Sequence, residues 1–169
     1  MPVDDPTATR PTALSMTVLM TPDMANFSGN VHGGQLLKLL DQVAYSCASR
    51  YAGTYVVTLS VDRVHFRDAI HVGELVTFSA SVNYTGRTSM EIGIRVDTEN
   101  IQDGARRHTN SSYFTMVAVD SDGKPVTIAP LPLRTELDRQ RFDAARQRRR
   151  AQRAAFASPH AVPPLSADH

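Results

Sequence analysis

One long segment, residues 33–51, repeats its apolar side chains with the period of an α-helix, and this feature limits the fold most. Its apolar positions, which form one broad stripe, are 36, 37, 40, 43, 44, 47, 48 and 51. The remaining body has five segments typical of strands, at residues 13–20, 54–66, 74–85, 88–98 and 108–120, with hairpin turns at Gly86-Arg87 and Asp103-Gly104. One long helix beside five strands joined mainly by tight turns predicts an α+β fold, in which the helix packs on a mostly antiparallel sheet.

The ends of the chain differ in composition from this body. The predicted divisions are a disordered N-terminus at 1–12, the α+β domain at 13–133, an Arg-rich helix at 134–156 and a disordered tail at 157–169. The Arg-rich segment has eight arginines and three acidic residues, a net charge of +5, whereas the whole chain carries +1. Thr135 and Asp138 have the spacing of a capping box, which predicts a helix start. Such a helix could bind nucleic acid or acidic lipid, or could be a solvated helix end.

The chain has one cysteine, Cys47, so an intramolecular disulfide and a cysteine-based zinc site are both excluded. Cys47 lies in the apolar stripe and is predicted to be packed and unreactive. The histidines at 65, 71 and 108 lack the spacing of metal ligands, so no metal site is predicted. No apolar run approaches the ~18–20 residues that span a bilayer, and the acidic, proline-containing start is unlike a secretory signal. These observations favour a cytoplasmic protein that does not enter a membrane.

Asp41 is the most informative polar residue of the predicted helix. At about 100° per residue its side chain falls ~20° beyond Ala48, at the margin of the apolar stripe and not on the opposite polar face. A carboxylate in that place would be partly desolvated, which suits a general base or a nucleophile. The alternative is a border aspartate whose carboxylate simply reaches water, and periodicity alone leaves both interpretations open.

Two glycines, Gly33 and Gly34, begin the predicted helix. The first N–H groups of a helix have no partner within it and lie at the positive end of its dipole, so they can bind an anion or the oxyanion of a tetrahedral intermediate. The alternative is a tight turn where glycine is needed only for close packing. His32, just before them, is either a general base or a residue that caps the helix.

A third candidate group is a hairpin that carries one guanidinium and two hydroxyls, on Arg87, Thr88 and Ser89. These groups could bind phosphates. Exposed hairpins often carry such residues without any ligand, and that interpretation also stays open.

Several motifs, taken in order, resemble one family. They are residues 22–34, with the sequence PDMANFSGNVHGG, then 36–41, 57–62, Phe66 with Gly73-Glu74, 84–91 and 114–120. Their order and spacing, over roughly residues 14–156, resemble the hotdog-fold acyl-CoA thioesterases, in the bacterial branch related to the brain-type cytosolic acyl-CoA hydrolases. The resemblance implies a long central helix wrapped by a curved five-stranded antiparallel sheet.

The resemblance also implies how an active site is built. Its sites lie between two subunits, where Asn26 of one faces Asp41 of the other, and such dimers commonly assemble as trimers of dimers. Asp41 would be the general base or nucleophile that acts on an acyl-CoA thioester, and Asn26 would position the water or the carbonyl. The N–H groups of Gly33 and Gly34 would stabilise the oxyanion.

For binding, the resemblance places Arg87, Thr88 and Ser89 near the nucleotide end of coenzyme A. Arg95 is a candidate contact for a regulatory nucleotide. No metal or other cofactor is implied, because coenzyme A is itself part of the substrate.

Two other functions are compatible with such a fold. One is a hotdog dehydratase or hydratase of acyl thioesters, which would use His32 with an acid. The other is a non-catalytic acyl-CoA sensor that binds nucleic acid. The loop pattern fits the thioesterase branch better, and only about a dozen residues precede the first strand, too few for a helix-turn-helix, so nucleic acid is not expected as a partner.

Overall fold

The structure, a computed structural model, describes residues 10–157. The chain divides into two compact units, residues 1–132 and 133–169. The disorder predicted for the two ends falls largely on residues 1–9 and 158–169, which lie outside the described residues.

The first unit contains one long helix and a five-stranded sheet. Its elements are β1 (Ala13–Leu19), a short 3-10 helix (Pro22–Met24), α1 (Gly33–Ala52), β2 (Tyr55–Asp62), β3 (Leu75–Thr85), β4 (Ser89–Glu99) and β5 (Arg106–Val119). The strands are hydrogen-bonded in the order β1-β3-β4-β5-β2, and every pair is antiparallel. The predicted α+β arrangement is confirmed.

The apolar stripe of α1 forms the centre of the core. The buried residues of α1 are Leu36, Leu39, Leu40, Val43, Ala44, Cys47, Ala48 and Tyr51. Leu37 of the predicted stripe is instead 40% exposed, and the buried Leu39 is not part of that prediction. The buried residues pack on the inner face of the sheet, where Phe78, Ile92 and Met116 are almost fully buried. Truncating a side chain of this kind to alanine typically costs ~2–5 kcal/mol. Cys47 is packed as predicted, and burial raises the pKa of its thiol to about 11, so the reactive thiolate is suppressed.

Strand β2 is shorter than predicted and lies at the edge of the sheet. It ends at Asp62, four residues before the predicted end, because Arg63 has a φ of 47° and turns the chain out of the extended conformation. Its one neighbour in the sheet order is β5, and a register shift between Thr58 and Ser60 marks a β-bulge.

The second unit contains the helix α2 (Glu136–Ala157), which carries the Arg-rich sequence. The predicted capping box is present: Asp138 N–H donates to Thr135 Oγ1 over 3.1 Å, and Thr135 N–H donates to Asp138 Oδ2 over 2.8 Å. The hydrogen bonds from Thr135 lower the pKa of the Asp138 carboxyl. Across residues 10–157, no helix has both the length and the apolar content needed to cross a membrane.

Candidate active site

A hydrogen bond between α1 and β2 lies at the centre of the candidate site. Thr58 Oγ1 donates to Asp41 Oδ1 over 2.6 Å and lies 3.5 Å from Met116 Sδ. Thr58 pairs with Met116 in the sheet register, which puts its side chain on the face that α1 covers. Sequence patterns do not distinguish Thr58 from the other strand hydroxyls, because only the packing of helix on sheet determines which hydroxyl contacts the acid.

Asp41 and Thr58 are both exposed in the single protomer. Of the two interpretations left open for Asp41, one chain by itself therefore shows the border aspartate whose carboxylate reaches water. The physical reason is the position of β2, since the described part of the chain places no further strand beyond this edge.

An open cleft of about 550 Å³ lies beside this carboxylate. Its walls include Met16, Tyr45, Tyr55 and Val57, together with Asp41 and Thr58. The rings of Tyr45 and Tyr55 meet edge to face, with centroids 5.8 Å apart. Gln42 and Ser46 add polar groups, so the wall combines apolar and polar side chains, as a site needs if it is to hold an acyl chain next to reacting atoms.

The same edge of the sheet exposes apolar side chains along β2. Tyr55, Val57, Leu59 and Val61 are 60%, 40%, 68% and 45% exposed. An edge strand with unpaired backbone groups and apolar side chains readily pairs with another strand. The exposed edge therefore indicates a contact with a second molecule.

Asn26 lies in the loop before α1, and its side chain is fixed there. Its Oδ1 accepts hydrogen bonds from the Ser28 N–H over 2.9 Å and from the Asn30 N–H over 3.2 Å. Because N–H groups can bond only to the amide oxygen, Oδ1 faces into the loop and Nδ2 faces away. Asn26 can therefore donate a hydrogen bond to a ligand.

At the start of α1, one of the two glycine N–H groups already donates to a side chain of the same chain. His32 is the N-cap, and its Nδ1 accepts from the Gly34 N–H over 2.9 Å. The capping interpretation of His32 is thus confirmed; Nδ1 has no free lone pair, and Nε2 carries the proton in the neutral ring. Among the described residues no acceptor is bound by the Gly33 N–H, which leaves it as the open donor at this helix end.

The predicted catalytic groups fall into two sets within one chain. Asn26 and Gly33 belong to the N-terminal end of α1, whereas Asp41 lies eight residues further along the helix, a rise of about 12 Å. Reacting groups must approach to ~3–3.5 Å. The structure joins Asp41 to Thr58 by a hydrogen bond, whereas the side-chain hydrogen bonds of Asn26 run to Ser28 and Asn30 of its own loop.

The β3–β4 hairpin lies at the same end of the sheet as Thr58. Ser89 pairs with Val117 of β5, and Val117 pairs with Val57 of β2, so two strand spacings of about 10 Å separate Ser89 from Val57. Arg87 is exposed at the turn, and Thr88 is half-buried.

Arg95 lies elsewhere, on β4, where its Nε donates to the Asp97 carboxylate over 2.8 Å. Its side chain is 60% exposed and lines an open cleft of about 300 Å³ with Thr77 and Arg106. A regulatory nucleotide contact at Arg95 stays a prediction.

Sequence relatives agree with this fold. Residues 28–105 match the thioesterase superfamily. Protein VdlD of Helicobacter pylori is 49% identical over 138 residues, which cover 82% of this chain and 79% of VdlD. The cytosolic acyl coenzyme A thioester hydrolase of Rattus norvegicus is 35% identical over 136 residues, which cover 79% of this chain and only 36% of the rat protein. The chain thus spans about a third of that enzyme.

Solved structures of acyl-CoA thioesterases and hydrolases have a similar fold. An apo-hexameric acyl-CoA thioesterase superposes with a TM-score of 0.78 at 36% identity, over 85% of this chain and 93% of the other. The acyl-CoA hydrolase of Staphylococcus aureus, in complex with butyryl coenzyme A, coenzyme A and coenzyme A disulfide, superposes with a TM-score of 0.77 at 28% identity, over 86% of this chain and 90% of the other. Variants of that hydrolase in which an aspartate, an asparagine or a threonine is replaced by alanine have also been solved. By sequence and by fold, this chain belongs to the thioesterase superfamily and has its hotdog fold.

Proposed function

We propose that this protein hydrolyses acyl-CoA thioesters to the free acid and coenzyme A, in sites that combine residues of two subunits. The observation that carries the proposal is the 2.6 Å hydrogen bond from Thr58 to Asp41 beside an open cleft with polar and apolar walls. The acyl-CoA hydrolases among its relatives, at 35% and 36% identity, support the choice of substrate.

Each site needs two protomers because one protomer separates its donors from its acid. With about 12 Å of helix between Gly33 and Asp41, one thioester carbonyl cannot contact both in the same chain. A two-fold dimer that places the start of one α1 against the third turn of the other brings the donors of one subunit to the acid of its partner in both sites. The exposed apolar edge of β2 is the surface proposed to hold the dimer together.

The proposed chemistry follows from the groups available. The thioester oxygen accepts from the Gly33 N–H and from Asn26 Nδ2 of one subunit, which stabilise the negative charge that develops there. Gly34 can add a second backbone donor only by releasing His32. Asp41 of the other subunit removes a proton from water as the water oxygen attacks the carbonyl carbon, and the C–S bond then breaks.

A direct attack by Asp41 is the alternative route and would form a mixed anhydride that water then hydrolyses. In either route coenzyme A leaves as a thiolate with a pKa near ~8.5, so strong acid assistance is unnecessary. Each step uses only side chains, backbone N–H groups and water, so the proposal requires no metal or redox cofactor. Label on Asp41 after a single turnover in ¹⁸O-labelled water would establish the anhydride route, because it enters only when water attacks the Asp41 carboxyl carbon of the anhydride and a general base gains no oxygen.

Residue spacing in the Staphylococcus aureus hydrolase supports these assignments. In that enzyme the replaced asparagine precedes the replaced aspartate by 15 residues, and the aspartate precedes the replaced threonine by 17. Asn26, Asp41 and Thr58 have the same residue types and the same two spacings here. Three matching residue types at two matching sequence spacings would rarely occur together by chance.

Coenzyme A is proposed to lie along the β3–β4 hairpin, with Arg87 near its phosphates and the hydroxyls of Thr88 and Ser89 close by. The exposed guanidinium of Arg87 and the ~10 Å between Ser89 and Val57 suit a long cofactor whose thioester reaches Asp41.

For assembly and location we propose a trimer of such dimers that works in the cytoplasm. The hexameric thioesterases among the structural neighbours support the assembly. The rat relative, named as a cytosolic enzyme, supports the compartment.

The test is thiol release from a panel of acyl-CoA substrates by the wild type, Asp41→Asn and Asn26→Ala, with Asp122→Asn as an exposed acidic control. We expect losses of at least ~100-fold for the first two variants and none for the control. Near-wild-type turnover by Asp41→Asn would contradict the proposal.

Mixing the two inactive variants tests the shared site. Equal amounts, unfolded and refolded together, should regain roughly a quarter of wild-type activity, because half of the dimers are mixed and each mixed dimer has one intact site. If refolded wild type is active and the mixture stays as slow as its components, Asn26 and Asp41 do not act across subunits.

A further inference from the structure

The loop that carries Asn26 is exposed at its tip and bonded largely within itself. Residues 25–31 close on themselves through a bridge between the two ends, and Phe27 at the tip is fully exposed. The Asn26 N–H donates to the Asn30 carbonyl over 2.6 Å, while Asn26 Oδ1 accepts from the Asn30 N–H. Asn26 therefore moves with Asn30, and whatever holds Asn30 also sets the direction of the Asn26 amide.

Asn30 is held from outside the loop by His71. Asn30 Oδ1 lies 2.8 Å from His71 Nδ1, and the two residues also form a backbone bridge. One position along, the Val31 N–H donates to the Ile70 carbonyl over 2.8 Å. With Asn30 Oδ1 as the acceptor, the proton of this bond resides on His71 Nδ1. Both the neutral ring in this tautomer and the imidazolium keep that proton, so the bond survives in either protonation state.

His71 is itself fixed by a partly buried ion pair. The backbone N–H of His71 donates to Glu74 Oε2 over 2.8 Å. Arg107 of β5 donates to both carboxylate oxygens of Glu74, over 2.7 and 2.9 Å. The Glu74 side chain is only 8% exposed, and Arg107 also donates to the Ala69 carbonyl. These bonds anchor the turn of residues 69–74 to the sheet, so a continuous set of hydrogen bonds runs from β5 to the loop.

We propose that His71 is a positioning residue that fixes the amide of Asn26 by binding Asn30; this inference rests on the donor role proposed for Asn26. A catalytic group has to be held within about 0.5 Å of its productive position, and a displacement of ~1 Å can cost about 100-fold in rate. Without the imidazole, the loop keeps its internal bonds and the Val31 bond but loses its side-chain contact. Nδ2 of Asn26 then spends less time directed at the thioester.

The loss should fall on kcat more than on KM, because coenzyme A is proposed to bind at the separate hairpin. We expect His71→Ala to lower kcat about tenfold, with KM within about twofold of wild type. His71→Asn, whose amide can place a donor near the position of Nδ1, should recover most of the loss. The pH dependence of kcat should have the same shape in His71→Ala as in the wild type, since the bond between His71 and Asn30 is present in both protonation states of the imidazole.

Asn30→Ala gives a second route to the same bond, and combining it with His71→Ala should cost no more than either change alone. The decisive measurement repeats His71→Ala in the Asn26→Ala background. There it should change kcat less than twofold, because the group being positioned is already gone. His65→Ala, which removes an exposed imidazole from the same β2–β3 connection, is the matched control and should behave as wild type.

A tenfold loss from His71→Ala that persists in full in the Asn26→Ala background would overturn the inference, since His71 would then act by another path. Wild-type turnover by both His71→Ala and Asn30→Ala, with Asn26→Ala slow, would remove the role of His71 and leave the proposed function intact. Wild-type turnover by Asn26→Ala itself would instead refute the donor assigned in the proposed function.

Discussion

Replacing Thr58 by valine tests the bond that joins α1 to β2 at the proposed site. Valine keeps the β-branched shape that suits a strand and removes only the hydroxyl that donates to Asp41 Oδ1 over 2.6 Å. Thr58→Ser removes the methyl group and keeps the donor, so the two variants separate hydrogen bonding from packing.

The size of the effect follows from the kind of bond and its exposure. A hydrogen bond to a charged group contributes ~1.5–3 kcal/mol. Asp41 and Thr58 are exposed in the protomer, so water replaces part of the lost bond, and about 1–2 kcal/mol of transition-state stabilisation should disappear. Because ~1.4 kcal/mol corresponds to a factor of ten, kcat should fall about 5- to 30-fold.

The assay is thiol release at saturating acyl-CoA, with the thermal midpoint and oligomeric state measured alongside. Thr58→Ser should stay within about threefold of wild type, because the donor remains. Thr17→Val, which removes a hydroxyl that bonds to Thr77 between β1 and β3, controls for the loss of a strand threonine. Turnover by Thr58→Val within about twofold of wild type would refute the reasoning.

Three further predictions concern stability, reactivity and assembly. Hydrogen bonds from Arg107 hold the pKa of Glu74 below its usual 4.5, so the pair stabilises the fold above that pH and loses its effect as Glu74 is protonated. Glu74→Gln should cost roughly 2 kcal/mol in urea unfolding at pH 7 and less at pH 3, and an equal cost at both would argue against the pair. Cys47 should resist a thiol reagent at pH 8 until the protein is denatured, and rapid labelling of native protein would contradict its burial. Leu59→Asp should weaken the dimer in sedimentation experiments, whereas an unchanged mass would place the interface away from β2.

Local structure followed closely from sequence patterns that depend only on nearby residues. The 3.6-residue period of α1 and the Thr135–Asp138 capping box reappear in the structure because each is set within one or two turns of backbone. The alternation of apolar and polar residues predicts an end of β2 four residues too late, because it does not encode the left-handed φ of Arg63.

The features of the candidate site likewise fall into those set by local sequence and those set by tertiary packing. The sequence by itself determined that Asn26, the paired glycines and Asp41 occupy a loop, a helix start and a helix margin, because these places follow from local spacing. Only the tertiary structure decided that Thr58 contacts Asp41 and that Asp41 remains exposed in one protomer. These outcomes depend on how the helix packs against the sheet, which brings together residues far apart in the chain.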